Sequence, residues 1–213
     1  HRDFDTNRVN LLYKRTVNDW QWQLSGFYQR EEYYWHRDFA DAASIYKVLS
    51  DRDDYGTELS VSTDISDHST LILGADMRIS EVDAIDDYDF SSDYAINKGR
   101  LEQYAFYVQD ELRFLDDRLI VVGGIRFDTA KFKDGLYESN VSPFDLVSGS
   151  LNDSSWDAFS PKISSRYHFS DNISVYGSYS RGFRAPILDA LCRYGIFHGR
   201  FYDANPDLEN ETL

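Results

Sequence analysis

The feature that most constrains this chain is a polar–apolar alternation of period two, carried through long runs whose connections are by turns short and long. From Trp20, one parity reads Trp20, Trp22, Leu24, Gly26 and Tyr28, and the other reads Gln21, Gln23 and Ser25. The runs from Tyr55, Leu119 and Ile173 repeat the pattern. Successive side chains of a strand point to opposite faces, so each run builds one apolar and one polar face. Eight such segments can be placed, at about 8–16, 19–29, 54–65, 69–80, 101–115, 118–128, 157–169 and 172–184. Most approach the ~9–11 residues with which a tilted strand crosses a bilayer, against ~5–6 for a globular strand.

The connections sharpen the assignment. Thr16–Asp19, Ser66–Ser69, Leu115–Arg118 and Ser170–Asn172 read as tight turns, with long polar stretches between them at roughly 30–53, 81–100, 129–156 and 185–207. An all-β, antiparallel transmembrane β-barrel has this plan, with short periplasmic turns and long extracellular loops. A soluble antiparallel sandwich also alternates, but its strands are shorter and its connections need not alternate in length. Aromatic residues favour the membrane. Tyr13, Trp20, Trp22, Phe114, Tyr167 and Phe169 lie near the short turns, and Tyr28, Tyr55, Phe127, Phe159, Tyr179 and Phe183 near the long stretches, as two interfacial girdles would. One charge breaks the apolar parity: Asp110 shares it with Phe106, Val108 and Leu112, so a bulge or an interfacial position is expected there. An open edge in lipid leaves backbone groups unsatisfied, so eight strands are expected to be part of a larger barrel.

Composition excludes several classes. The net charge of −15, from 37 acidic and 22 basic residues, lacks the Lys/Arg footprint that nucleic acid needs. The single cysteine, Cys192, cannot form an internal disulfide. No apolar run approaches the ~20 residues of a membrane helix, which leaves a barrel open. The first residues, HRDFDTNRVN, have neither an initiator Met nor an apolar leader, and both ends read as interior to a longer protein.

Late in the chain the residues become specific. The stretch ISVYGSYSRGFRAPILDAL is followed by NPDLENETL, and two hairpins, 104–128 and 157–180, accompany it. Together they resemble the barrel of TonB-dependent outer-membrane receptors, whose Phe-Arg-Ala-Pro box ends one strand and whose Asn-Pro-x-Leu box opens the next. Here the boxes are Phe183-Arg184-Ala185-Pro186 and Asn205-Pro206-Asp207-Leu208. By parity, Arg184 is expected to face the lumen and Phe183 the lipid. Pro186, lacking an amide donor, is expected to end pairing. The resemblance implies a partial barrel domain over 1–213, cut from a parent of about 22 strands whose plug domain and remaining strands are absent. It also implies a Gram-negative outer-membrane location, contact with outer-membrane lipid, and energy from a TonB complex acting through the plug. No resident cofactor is expected.

The ligand is open at this stage. The family's haem branch has a histidine between the two boxes, and His198 stands there, flanked by Tyr194 and Tyr202. An imidazole can ligate haem iron. Such a histidine is equally an ordinary polar loop residue. The sequence also departs from the haem branch's pattern, with Asp207 where that branch often has Asn and Glu209-Asn210-Glu211 where Lys/Arg-Pro-Glu is usual. Ferric siderophores and haem are therefore both candidates, with cobalamin or a passive porin as alternatives. His36 could join His198 across the mouth, and Arg200, with Arg30, Arg37, Lys98 and Arg100, could meet an anionic ligand. Acids crowd 81–100, but they match no calcium-loop spacing and read as a solvated face. No histidine pair has metal-site spacing, and nothing points to an enzyme: no nucleophile elbow and no phosphate loop is present.

Overall fold

A computed structural model describes residues 1–38, 45–88, 92–197 and 200–212. Six long strands follow one another: β1 (Arg2–Val17), β2 (Trp20–Asp38), β3 (Ile45–Ser66), β4 (Ser69–Tyr88), β5 (Tyr94–Phe114) and β6 (Leu119–Ser139). A 3-10 turn at Phe144–Val147 and a short β7 (Gly149–Ser150) lead to β8 (Ser154–Ser170) and β9 (Ile173–Ser180). Every pairing is antiparallel, in the order β1-β2-β3-β4-β5-β6-β8-β9, with β7 added beside β6. The described residues thus form an up-and-down meander of eight main strands.

Three of the four stretches read as long loops are largely strand. β2 and β3 pair out to Asp38↔Ile45, β4 and β5 to Asp87↔Tyr94, and β5 and β6 to Ala95↔Ser139. The strands run well beyond the apolar band, and the polar segments are its extensions. Alternation of hydrophobicity stops at the membrane edge, because both faces of the extension are wet; backbone pairing does not stop there.

The two faces separate as the parity requires. Leu24, Leu59, Leu73, Phe106, Ile125, Phe159, Ile163 and Val175 share the outer face, each at least 40% exposed. Gln23, Ser60, Gly74, Tyr107, Arg126, Ser160 and Lys162 belong to the inner face. The apolar band has an upper limit: Tyr28 pairs with Tyr55, and directly above it Arg30, Asp53, Glu81, Arg100 and Lys133 form one row across five strands. Arg100 reaches Glu81 at 3.0 Å along that row, and Lys98 reaches Asp83 in the row above. Asp110 is interfacial and sits in unbroken register opposite Leu71 and Gly123. Its carboxylate accepts a hydrogen bond from Ser69 Oγ at 2.9 Å, beside the short turn.

One irregularity matters for the inner wall. Between Lys98↔Leu136 and Arg100↔Lys133, β6 carries an extra residue. Asp134 there adopts a left-handed φ of 54°. The bulge flips the parity of β6, so that Phe132 and Tyr137, five positions apart, are both buried at the inner side.

Candidate binding surface on the inner wall

The residues after β9 fold against the inner wall. The strand β9 ends at Ser180, earlier than the segment 172–184 implies: Arg181 N–H still donates to Pro161 O at 3.0 Å, and Gly182 leaves the ladder. Phe183 and Arg184 form a two-residue strand, β10, whose partner is β13 (Glu211–Thr212); the guanidinium of Arg184 lies 3.5 Å from Glu211. The expectation for Phe183 is overturned. It faces no lipid but packs inward, on a cluster of Val82, Ala84, Leu101, Ala130, Phe132 and Trp156. With the ladder broken at Gly182, the parity count from β9 no longer applies. Arg184 is mostly exposed, while Ala185 is buried in the same cluster.

A short helix α1 (Leu188–Cys192) continues this segment, with Leu191 and Cys192 fully buried. Two ion pairs pin it to the wall. Arg52 Nη2 of β3 lies 2.6 and 2.7 Å from the two carboxylate oxygens of Asp189, and Arg193 reaches Asp86 of β4 at 3.2 Å. Desolvation pushes the Cys192 thiol up to about 12, so it stays protonated and is a poor metal ligand. Tyr194 donates its backbone N–H to Asn97 Oδ1 at 3.4 Å, and its ring lies 4.4 Å from that of Tyr137. Burial, and then the charge of Asp203, raise the Tyr194 phenol above its ordinary value.

The second box closes the segment. Asn205 Oδ1 accepts from the N–H of Asp207 at 3.0 Å, an Asx turn that Pro206 favours, and Asn205 N–H donates to Ala190 O. The indole N–H of Trp156 donates to Leu208 O at 2.8 Å, and the Leu208 side chain packs on the cluster. The two boxes, about twenty residues apart in sequence, are thus joined through β10–β13, Ala190 and Trp156.

Of the ligand-binding candidates, Tyr194 lies on the inner wall. His36 belongs to β2 and shares the outward face with Tyr34, 6.3 Å away ring to ring. Arg200 and Tyr202 lie in β12 (Arg200–Tyr202), which pairs with β11 (Gly195–Phe197). His198 lies outside the described residues. Among the described residues no group of three or more His, Cys, Asp or Glu is placed to hold a metal.

The inner wall is rich in charge that sequence reading did not single out. Arg126 bridges Asp76 at 2.6 Å and Asp128 at 2.8 Å, Arg78 bonds Asp54, and the Tyr107 hydroxyl donates to Glu58. Between the FRAP segment and strands β2–β5 lies a cavity of about 430 Å³, lined among others by Gln29, Arg52, Asp54, Arg78, Gln103 and Pro186. The signal was present: Asp76, Tyr107 and Arg126 hold the wet parity between outward Ala75, Met77, Phe106, Val108, Ile125 and Phe127, and Gln29, Arg52 and Gln103 carry that parity to the end of the apolar band and beyond it.

The whole chain, residues 1–213, matches the family model described as TonB dependent receptor-like, beta-barrel. No curated protein sequence matches it. Among solved structures, it is similar to the ferric yersiniabactin uptake receptor FyuA from Yersinia pestis, at 19% identity over 86% of this chain and 30% of that one, with a TM-score of 0.68. The ferric citrate transporter FecA gives 16% identity over 84% and 27%, at 0.67. The copper transporter OprC gives 14% over 98% and 36%, at 0.75. These likenesses are of fold, and the chain spans about a third of the length of each structure.

Proposed function

The chain belongs to the TonB-dependent receptor β-barrel family, and from that premise we propose that the protein carrying it is an outer-membrane receptor that takes up a ferric siderophore. The observation that carries this reading is the division of the sheet. Its outer face is a continuous apolar band that only lipid would cover. Its inner face is a charged wall, closed over by the docked segment between the two family boxes. A passive pore has no need of such a segment at its mouth. A sheet in lipid must close, so strands beyond the open edges of β1 and β9 complete the barrel, about 22 in all by family. A plug domain would fill the lumen and pass energy from the TonB complex. The similar structures FyuA, a ferric yersiniabactin uptake receptor, and FecA, a ferric citrate transporter, both serve ferric chelates, which supports iron over cobalamin.

The test is growth of the source bacterium under iron limitation, with the gene deleted and then restored. Restoration of growth on ferric siderophores, dependent on TonB, supports the reading. Restoration on hemin alone would make this a haem receptor. Growth indifferent to the gene on every iron source would overturn iron uptake.

A further inference from the structure

Charge on the outer face is divided by strand. Along the extensions of β1–β4, acids outnumber bases on the outward parity, and Arg30 there is held, 3.0 Å from Glu32 and 3.3 Å from Asp51. On β5 and β6 the order reverses, with Lys98, Arg100, Lys131 and Lys133 outward. The reversal is local, in a chain of net charge −15.

The cations stand above an apolar ledge. Phe106, Phe127 and Phe159 share one outward row across β5, β6 and β8, and all three are largely exposed. The next outward row, away from the short turns, is Tyr104, Thr129 and Asp157, and the one after it is Glu102, Lys131 and Ser155. Arg100 pairs with Lys133 one row farther, where β8 no longer accompanies β6. Strand rise sets Lys133 about 7 Å from Lys131 and puts Lys131 about 13 Å beyond Phe127.

Glu102 organises the patch while its own charge is turned inward. Arg100 Nε lies 3.0 Å from one of its oxygens, and Lys133 Nζ and the Tyr104 hydroxyl donate to the other at 3.2 and 3.4 Å. The Glu102 side chain is only 12% exposed. Glu81 takes the other edge of Arg100, at 3.0 Å. Lys133 spends one N–H on Glu102 and keeps two, and Lys131 is exposed with no carboxylate partner among the described residues. Two ammonium groups at that spacing can bond different oxygens of one phosphate held between them. Asp157, exposed one row below Lys131, is the carboxylate that opposes an anion there.

We infer that the outer face of β5, β6 and β8 is a binding site for a phosphorylated, acylated lipid of the outer leaflet, its phosphate between Lys131 and Lys133 and its acyl chains on the ledge of Phe106, Phe127 and Phe159. This rests on the outer-membrane reading above and gives the lipid contact a place and a chemistry. Lipid fits better than free phosphate because cations and exposed rings lie in one column along the strands; a free phosphate would leave the ledge bare. On β3 and β4, Asp53 and Glu81 occupy the row of Lys133 and repel a phosphate.

The test uses the full-length receptor, stripped of carried lipid in detergent and titrated with bisphosphorylated lipid A, the same lipid after phosphatase treatment, and inorganic phosphate. Native mass spectrometry reads retention, and heat-modifiable gel mobility checks that each variant is folded. The phosphorylated lipid is retained best. Lys131→Gln and Lys133→Gln each weaken it about fivefold, Asp157→Asn tightens it, and Arg30→Gln, on the acidic side of the face, leaves it unchanged. Equal retention of the two lipids, or retention indifferent to both lysines, overturns the site and leaves the outer-membrane reading standing. Displacement of the lipid by an equal concentration of inorganic phosphate overturns lipid as the occupant. A receptor that stays monodisperse after detergent is removed overturns the outer-membrane reading and the site with it.

Discussion

Arg52 and Asp189, separated by 137 residues in sequence, meet in a two-oxygen ion pair that fastens α1 to the inner wall. Both side chains are a little over a third exposed. Solvent screening therefore holds the pair to about 0.5–1 kcal/mol. The helix it fastens is only five residues long and has no independent stability, so the pair acts together with the burial of Leu191 and Cys192.

Releasing that pair should expose Cys192. In the full-length receptor with any cysteine outside this chain replaced, maleimide labelling at pH 7.5 is slow in the parent and about two- to fivefold faster in Arg52→Gln. The sign is informative. Arg52 lowers the thiol pKa, so its loss alone would slow the reaction, and only undocking of α1 can speed it. An unchanged or slower rate would show that the ion pair does not hold the segment.

The same thiol gives a pH dependence. Its docked pKa of about 12 lies above the ordinary 9.0. The stability it contributes is therefore complete below pH 9 and is lost as pH rises from 9 toward 12, by up to about 1.4 kcal/mol per unit. Limited proteolysis of the 183–208 segment should accelerate between pH 9 and 10.5 in the parent, and less so in Cys192→Ala. Parallel pH profiles would contradict the buried, protonated thiol.

At the bulge, neighbouring residues should respond in opposite ways. Asp134 pays for its left-handed φ of 54°, so Asp134→Gly should raise barrel stability by about 0.5–1 kcal/mol. Gly135→Ala should lower it by about 1–3 kcal/mol, since its Cβ would meet the Phe132 ring at 2.7 Å and Leu151 Cβ at 2.8 Å. Urea unfolding in detergent micelles reads both, and equal effects would show that the bulge is not what sets the parity of Phe132 and Tyr137.

Trp156 makes a fourth test. Trp156→Phe keeps most of its packing but leaves Leu208 O without its donor, at a cost of about 1 kcal/mol. Because that bond ties the second box to β8, protease sensitivity between 205 and 212 should rise without loss of the long strands. Unchanged sensitivity would leave the box held by Asn205 alone.

The wall of the fold was legible because lipid on one side and water on the other impose a period of two. Trp20 to Tyr28, and Tyr55 to Ile65, followed it residue by residue. The turns at Asn18 and Asp116–Asp117 were legible for a second reason: all three adopt left-handed φ, which Asn and Asp tolerate. The extensions of β2–β6 were not, since a strand wet on both faces carries no alternation. The docking of 183–192 was illegible in principle, because Arg52–Asp189 and Arg193–Asp86 join residues more than a hundred positions apart with no local pattern. Phe183 was misread for the same reason: its partners, Val82 and Leu101, belong to strands far away in sequence. Tyr33 and Trp35 could have been assigned inward by carrying the parity of Gln29 six residues farther.

Outer-membrane uptake requires one face of this sheet to meet lipid and the other water. The most direct measurement is a single-site scan along β5, from Gln103 to Gln109, with a fluorophore at each position of the full-length receptor in vesicles, quenched in turn by brominated lipid and by aqueous iodide. Strict alternation is expected: lipid quenching at Tyr104, Phe106 and Val108, and its absence at Gln103, Ala105, Tyr107 and Gln109. Uniform access by iodide, or lipid quenching on the opposite parity, would contradict it.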